Sequence, residues 1–261
     1  MPATQFPATL LSRVEDAGLN ASAPPQQRWV DGWLVRFCPG KAKRARCINA
    51  VAPGQLSVSE KLGLCQRVYD EAKLPLIVRI TPISQPRVLD SWLEREGLRA
   101  FDDTRVMVHA NLPELEAEPL DPDLSLHRVG HSAFAQIVGQ LRGSPLAQQQ
   151  AHAHRLELSP VPFEAWVLRR VGDSSVLACG QTAIEANMVG LYDVFTAANE
   201  RNKGWARRLC AELMHRAREK GATTAYLQVD ADNLPARAVY HRLGFADAYA
   251  YHYRTAAPQV D

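Results

Sequence analysis

A chain of 261 residues, 46 % hydrophobic and 22 % charged, holds enough apolar material for one large domain or two modest ones, which excludes a disordered, collagenous or disulfide-stapled miniprotein. Thirty basic residues against 28 acidic leave a formal charge of +2, too little for an overall attraction to nucleic acid or to an anionic membrane surface. Five cysteines, odd in number and without a Cys-x-x-Cys pair, fit reduced thiols better than bridges or zinc ligands. No basic segment precedes an apolar run in the first eleven residues, and no stretch reaches the roughly 18 apolar residues of a span. The expectations are a cytoplasmic location with no membrane, no nucleic acid and no metal.

The first elements are a helix over 9–17 ended by Gly18 and a Pro24-Pro25 turn. A strand over 29–37, a basic turn, a strand over 46–51, a helix over 58–72 and a strand over 76–81 follow. A helix over 86–96 stopped by Gly97 and a strand over 105–110 complete a ββαβαβ order. Residues 112–123 are acidic, carry three prolines and lack apolar periodicity, so they read as a linker. Beyond it come a strand over 124–129, helices over 132–141 and 146–158, and strands over 163–170, 176–184 and 188–196. Helix 204–220, strand 224–229, helix 235–243 and strand 248–254 close the pattern. The class expected is α/β (α+β), a mixed central sheet with helices on its faces, divided into domains 1–115 and 116–261. Aligning Gly97 with Gly244 superposes a strand–turn–helix–glycine–strand unit in both halves, so the first half reads as a truncated copy of the second.

The most informative segment runs from Leu191 to Leu209. An apolar strand enters a turn, Arg201-Asn202-Lys203-Gly204-Trp205-Ala206, and an amphipathic helix begins there. Small residues at 204 and 206 let main-chain N–H groups approach a phosphate, and a helix N-terminus adds unpaired donors and partial positive charge. The turn is an anion cradle, but neither a Walker A loop nor a Gly-x-Gly-x-x-Gly fingerprint. Here the sequence resembles the GCN5-related N-acetyltransferase superfamily. Arg201-x-x-Gly204-x-Ala206 matches that family's Arg/Gln-x-x-Gly-x-Gly/Ala loop, and Asn233-x-x-Ala236-x-x-x-Tyr240-x-x-Leu243-Gly244-Phe245 matches a second segment at the family's spacing. The resemblance covers about residues 124–254, with the departures Ala198, Asn202 and Ala206.

The resemblance implies an acyl-CoA N-acyltransferase fold that uses acetyl-CoA as cosubstrate. It implies that the main chain of residues 201–206 holds the pyrophosphate and that Val194, Phe195 and Thr196 contact the pantetheine arm. Asn233 is a further cofactor contact, or else the N-cap of the helix that Pro235 helps begin. Direct attack of an amine on a thioester needs an amide donor for the oxyanion and a proton donor for the thiolate. Tyr240 is the expected acid, with a core aromatic as its plainer role, since it shares an i, i+3, i+4, i+7 stripe with Ala236, Val239 and Leu243. Asp193, Glu185 and Tyr192 are the candidate bases. A regular strand turns Asp193 away from Tyr192 and Val194, and a bulge reverses that parity. The first half has no such loop and carries Leu93 in place of the tyrosine, so one acetyl-CoA per chain is expected.

The acceptor expected is a small-molecule amine or amino acid, ahead of a protein N-terminus or lysine, and the chain a monomer or homodimer. A non-catalytic acyl-CoA sensor is the alternative. Lys203 and Arg207 read as solvated loop charges, His152 and His154 as a polar helix surface, and Cys179 and Cys210 as core. The basic run at 41–46 reads as a solvated hairpin tip.

Overall fold

The computed structural model describes residues 6–39, 42–112, 120–172 and 175–258. The first half contributes helix α1 (Ala8–Ala21), strands β1 (Gln27–Val30), β2 (Trp33–Arg36) and β3 (Ile48–Asn49), helix α2 (Val58–Ala72), strand β4 (Val78–Ile80), helix α3 (Leu89–Arg95) and strand β5 (Arg99–His109). The second half contributes β6 (Leu124–Val129), α4 (His131–Arg142), α5 (Leu146–Glu157), β7 (Phe163–Arg170), β8 (Val176–Glu185), β9 (Met188–Thr196), α6 (Trp205–Glu219), β10 (Thr224–Asp230), α7 (Leu234–Arg242) and β11 (Ala246–Thr255). The α+β class and the mixed sheet are those expected.

All eleven described strands join one sheet in the order β1-β2-β3-β4-β11-β5-β10-β9-β8-β7-β6. The halves do not lie side by side. Strand β5 of the first half inserts between β10 and β11 of the second, antiparallel to both, and β11 in turn pairs with β4. Each half therefore completes the other's sheet. The boundary expected at 115/116 lies outside the described residues, as does most of the acidic stretch at 112–123; the sheet runs through both halves.

Several elements depart from the sequence reading. The single strand expected at 29–37 is a tight hairpin, because Asp31 and Gly32 take positive φ (40° and 83°) and reverse the chain between Val30 and Trp33. Helix α1 continues past Gly18, where close packing explains the glycine: a Cβ there would sit 3.0 Å from Gln228 Nε2. Strand β5 begins at Arg99, earlier than expected, since β11 offers it a partner along that whole stretch. Over its described residues, 42–46, the basic run is no solvated tip; Lys41 lies outside the described residues. Residues 43–45 form a 3-10 turn, Arg46 is buried, and Lys43 pairs with Asp102 at 2.8 Å.

Apolar side chains fill both faces. One cluster packs Leu209, Cys210, Leu213 and Met214 of α6 on Val189 and Leu191 of β9 and on Ala225 and Leu227 of β10. Another surrounds Trp33, Val35, Tyr69 and Leu93 in the first half, where Ser57 and Glu60 close a reciprocal cap on α2. Within the first half, Arg79 of β4 forms a buried ion pair with Glu15 of α1, and across the halves the Glu15 carboxylate accepts a hydrogen bond from the Tyr249 hydroxyl of β11.

Candidate active site

Strands β9 and β10 run parallel and pair only over Met188–Leu191 and Thr224–Leu227. Past Leu191, β9 keeps its partner β8 on one side, while β10 continues beside β5. The edge of β9 from Tyr192 to Thr196 that faces β10 thus meets no strand, and its main-chain groups are open to a ligand. A bulge lies on this stretch. Cys179 pairs with Phe195 and Gln181 with Tyr192, so Asp193 and Val194 together oppose Gly180, and Asp193 takes φ 49°. The regular parity is broken at the residue where a bulge would re-aim the strand.

The open edge leads into the turn at 201–206. Residues 198–200 make a 3-10 turn, Asn202 has φ 63°, and Gly204 has φ 84° as the residue before α6. An L side chain is strained at that φ, which explains the glycine. A Cβ at Gly204 would meet nothing within 4 Å, and no side chain caps α6, so the helix N-terminus faces open space. Both features fit a phosphate-bearing ligand. Glu200, unmarked by sequence reading, braces the turn: it accepts from Lys203 Nζ and Trp205 Nε1, each at 3.1 Å, and lies 3.6 Å from Arg170. Those hydrogen bonds, Lys203 first, hold its carboxyl below the usual carboxylate range. Lys203 is therefore tied within the turn. The Arg201 guanidinium lies over the Phe195 ring at 5.8 Å, with Arg142 5.5 Å from the same ring.

Asp193 sits in a cage of cations. Its carboxylate is 3.0 Å from Arg142 Nη2 and 3.1 Å from His152 Nε2. Burial raises its pKa, yet His152, Arg142 and Arg155 outweigh that and hold the carboxyl far below the usual carboxylate range. So weakly basic a carboxylate is a poor proton acceptor, which argues against the role of base and for one of holding the bulge. The same pair corrects the reading of His152, which turns inward to β9 while His154 stays exposed. An i, i+2 spacing signals no shared face, so only the fold could bring His152 to Asp193.

Tyr240 is 9 % exposed and belongs to the α6 cluster, its ring edge-on to Phe245 at 6.0 Å. Burial, then the neighbouring Cys210, push its phenol well above the ordinary range, and its hydroxyl has no hydrogen-bond partner among the described residues. Such a group stays protonated, and although burial weakens it as an acid its O–H can donate a hydrogen bond. Asn233 caps α7 by accepting from Ala236 N at 3.2 Å. On the other face of β9, the Tyr192 hydroxyl is 2.9 Å from that of Tyr226 and Arg44 lies 5.7 Å from the Tyr192 ring, placing the basic run against the strand that carries the bulge.

Over residues 11–254 the sequence matches the family described as "Probable histone acetyltransferase Rv0428c C-terminal". The Uncharacterized N-acetyltransferase YobR of Bacillus subtilis (strain 168) is 28 % identical over 234 residues, 87 % of this chain and 91 % of that protein. The Aminoglycoside N(6')-acetyltransferase type 1 of Serratia marcescens is 26 % identical over 106 residues, 36 % of this chain and 73 % of that enzyme. A GCN5-related N-acetyltransferase from Kribbella flavida superposes with a TM-score of 0.68 at 16 % identity over 95 % of each chain, a likeness of fold. The chain belongs to the Rv0428c C-terminal acetyltransferase family, is an acyltransferase, and has the fold of the GCN5-related N-acetyltransferases.

Proposed function

We propose that this protein transfers an acetyl group from acetyl-CoA to the primary amine of a small molecule by direct attack within a ternary complex. The observation that carries the reading is the open edge of β9 running into the uncapped N-terminus of α6. Acetyl-CoA supplies an activated acyl carbon and a thiolate leaving group. The main chain of Val194, Phe195 and Thr196 binds the pantetheine arm and directs an N–H at the carbonyl oxygen as negative charge develops there. Amides of Arg201, Asn202, Lys203, Gly204, Trp205 and Ala206 hold the diphosphate, and Asn233 contacts the cofactor from the start of α7. The Tyr240 hydroxyl donates a proton to the departing sulfur and regains one through water from the proton that the attacking amine releases. Asp193 keeps the bulge in place, and the proton of the amine passes to water. A single site per chain follows, the first half serving as a wall. The Serratia relative's printed substrate class, an aminoglycoside, supports a small amine.

Thiol release from acetyl-CoA across an amine panel, with calorimetric binding of acetyl-CoA in parallel, tests this. Tyr240→Phe is expected to lower kcat by about 100-fold or more while cofactor affinity moves by less than about threefold. An unchanged rate removes the proton donor. Failure of the parent to bind acetyl-CoA at about 1 mM, a limit worth only ~4 kcal/mol, overturns the reading itself.

A further inference from the structure

A cavity of about 240 Å³ lies where the basic run of the first half meets α5 of the second, lined by Lys43, Arg44, Asp102, Thr104, Arg155 and Tyr253 among others. Its charges are unbalanced. Lys43 is matched by Asp102 at 2.8 Å, but neither Arg44 nor Arg155 has a carboxylate at ion-pair distance among the described residues. Asp193, the carboxylate that bears on Arg155 electrostatically, already holds Arg142 and His152. The Arg44 Nη1 group is shut off from solvent and has no hydrogen-bond partner. A buried charged donor left unmade is costly, by more than the roughly 1–3 kcal/mol of a neutral one, so a ligand that accepts from it recovers free energy on binding. Arg36 adds to the local positive charge and donates to the Arg44 carbonyl at 3.3 Å, which fixes the turn.

The position of the cavity relates it to the chemistry. Arg44 lies 5.7 Å from the Tyr192 ring, and Tyr192 is the residue before the bulge at Asp193. A group seated on Arg44 therefore lies near the Tyr192 side chain, two residues before the stretch 194–196 assigned above to the pantetheine arm and the acyl carbonyl. The volume is below the roughly 300–1,000 Å³ of sites that enclose a drug-sized molecule, so it suits a head group rather than a whole acceptor. We propose that Arg44 and Arg155 bind a negatively charged group of the acceptor, a carboxylate or a phosphate, so that the substrate is an anionic amine. This rests on the acetyl-transfer reading and narrows its substrate class. Guanidinium groups match both anions through paired N–H donors.

The test titrates inorganic phosphate, and separately acetate, into the full chain and into Arg44→Met and Arg155→Met, with acetyl-CoA titrated alongside. The parent is expected to bind at least one anion with a Kd on the order of 10 mM or tighter, and each variant to bind it at least about tenfold more weakly. Acetyl-CoA affinity is expected to change by less than about twofold. A preference for phosphate identifies a phosphorylated acceptor, and one for acetate a carboxylated one. Arg155 makes no hydrogen bond among the described residues, so its replacement keeps the test alive if Arg44 variants do not fold. In thiol release, O-phosphoethanolamine is compared with ethanolamine and glycine with glycinamide; at least one anionic member is expected to exceed its neutral counterpart in kcat/KM, by a ratio that collapses in the variants. A parent that binds neither anion, or variants that bind as the parent does, overturns the cavity assignment while acetyl-CoA binding stands. Loss of acetyl-CoA binding by the parent is the separate failure of the underlying reading and overturns both.

Discussion

Replacing Gly204 by alanine separates backbone strain from ligand contact. Gly204 has φ 84°, where an L residue costs about 1–2 kcal/mol, and an added methyl would touch nothing within 4 Å, so strain is the whole of the expected stability loss. For a chain of this size each 1 kcal/mol lowers Tm by roughly 2–4 °C, so a fall of about 2–8 °C is expected. If the amides of this turn grip a diphosphate, the methyl also intrudes where the ligand approaches, and acetyl-CoA should bind at least about tenfold more weakly, a further ~1.4 kcal/mol. Gly221, just past the other end of α6, provides a matched control with φ 93° and equally empty surroundings. Gly221→Ala should lower Tm by a similar amount and leave acetyl-CoA affinity unchanged. Differential scanning fluorimetry and titration calorimetry on the two variants give both readouts. Equal Tm losses with equal, unaltered affinities would refute the assignment of the turn to the diphosphate.

Other expectations are independent of that one. Asp193→Asn should destabilise the protein by about 2–4 kcal/mol at neutral pH, because Arg142 and His152 lose their shared carboxylate. Since the folded-state pKa of Asp193 is depressed, its contribution is complete above the ordinary carboxylate pKa of about 3.9 and is lost as pH falls toward the folded value. The gap in Tm between parent and variant should therefore narrow on acidification, and a gap that widens would contradict the pairing. Glu15→Gln strips the partner from Arg79, 2 % exposed, and should cost about 3–5 kcal/mol in urea unfolding; a loss under about 1 kcal/mol would show the pair to be dispensable. Burial pushes Cys47 up to about 11 and Cys65, Cys179 and Cys210 up to about 12, whereas Cys38 is half-buried. Ellman's reagent should label Cys38 alone in the native protein near pH 7.5, and a second fast-reacting thiol would refute this account of the core.

Local chemistry was legible wherever one segment carries it. The stripe Leu209, Cys210, Leu213, Met214 announces α6 and its buried face, and Gly204 announces the turn before it, because both signals lie within a few residues. The Asp31-Gly32 hairpin was equally local; its turn residues were present, but the apolar run around them obscured the break. What depended on distant partners was not legible. Nothing near residues 99–109 says that they pair with 246–255, and nothing in the basic run says that Arg46 is buried or that Arg44 lies over Tyr192. Asp193 shows the same division: the strand parity and the effect of a bulge could be reasoned from sequence, whereas the cations that quench its basicity come from α4 and α5.

The exchange of β5 and β11 bears on how this chain is made. Five strands and four helices separate the two along the sequence, so the ladder at the centre of the sheet is a contact of very high sequence separation. While the ribosome is still producing the second half, β4 and β5 have emerged with their ladder edges bare, a condition that invites mispairing between nascent chains. Neither half can finish its sheet until β11 has been made. Slow refolding is the kinetic signature expected of a ladder with so large a sequence separation.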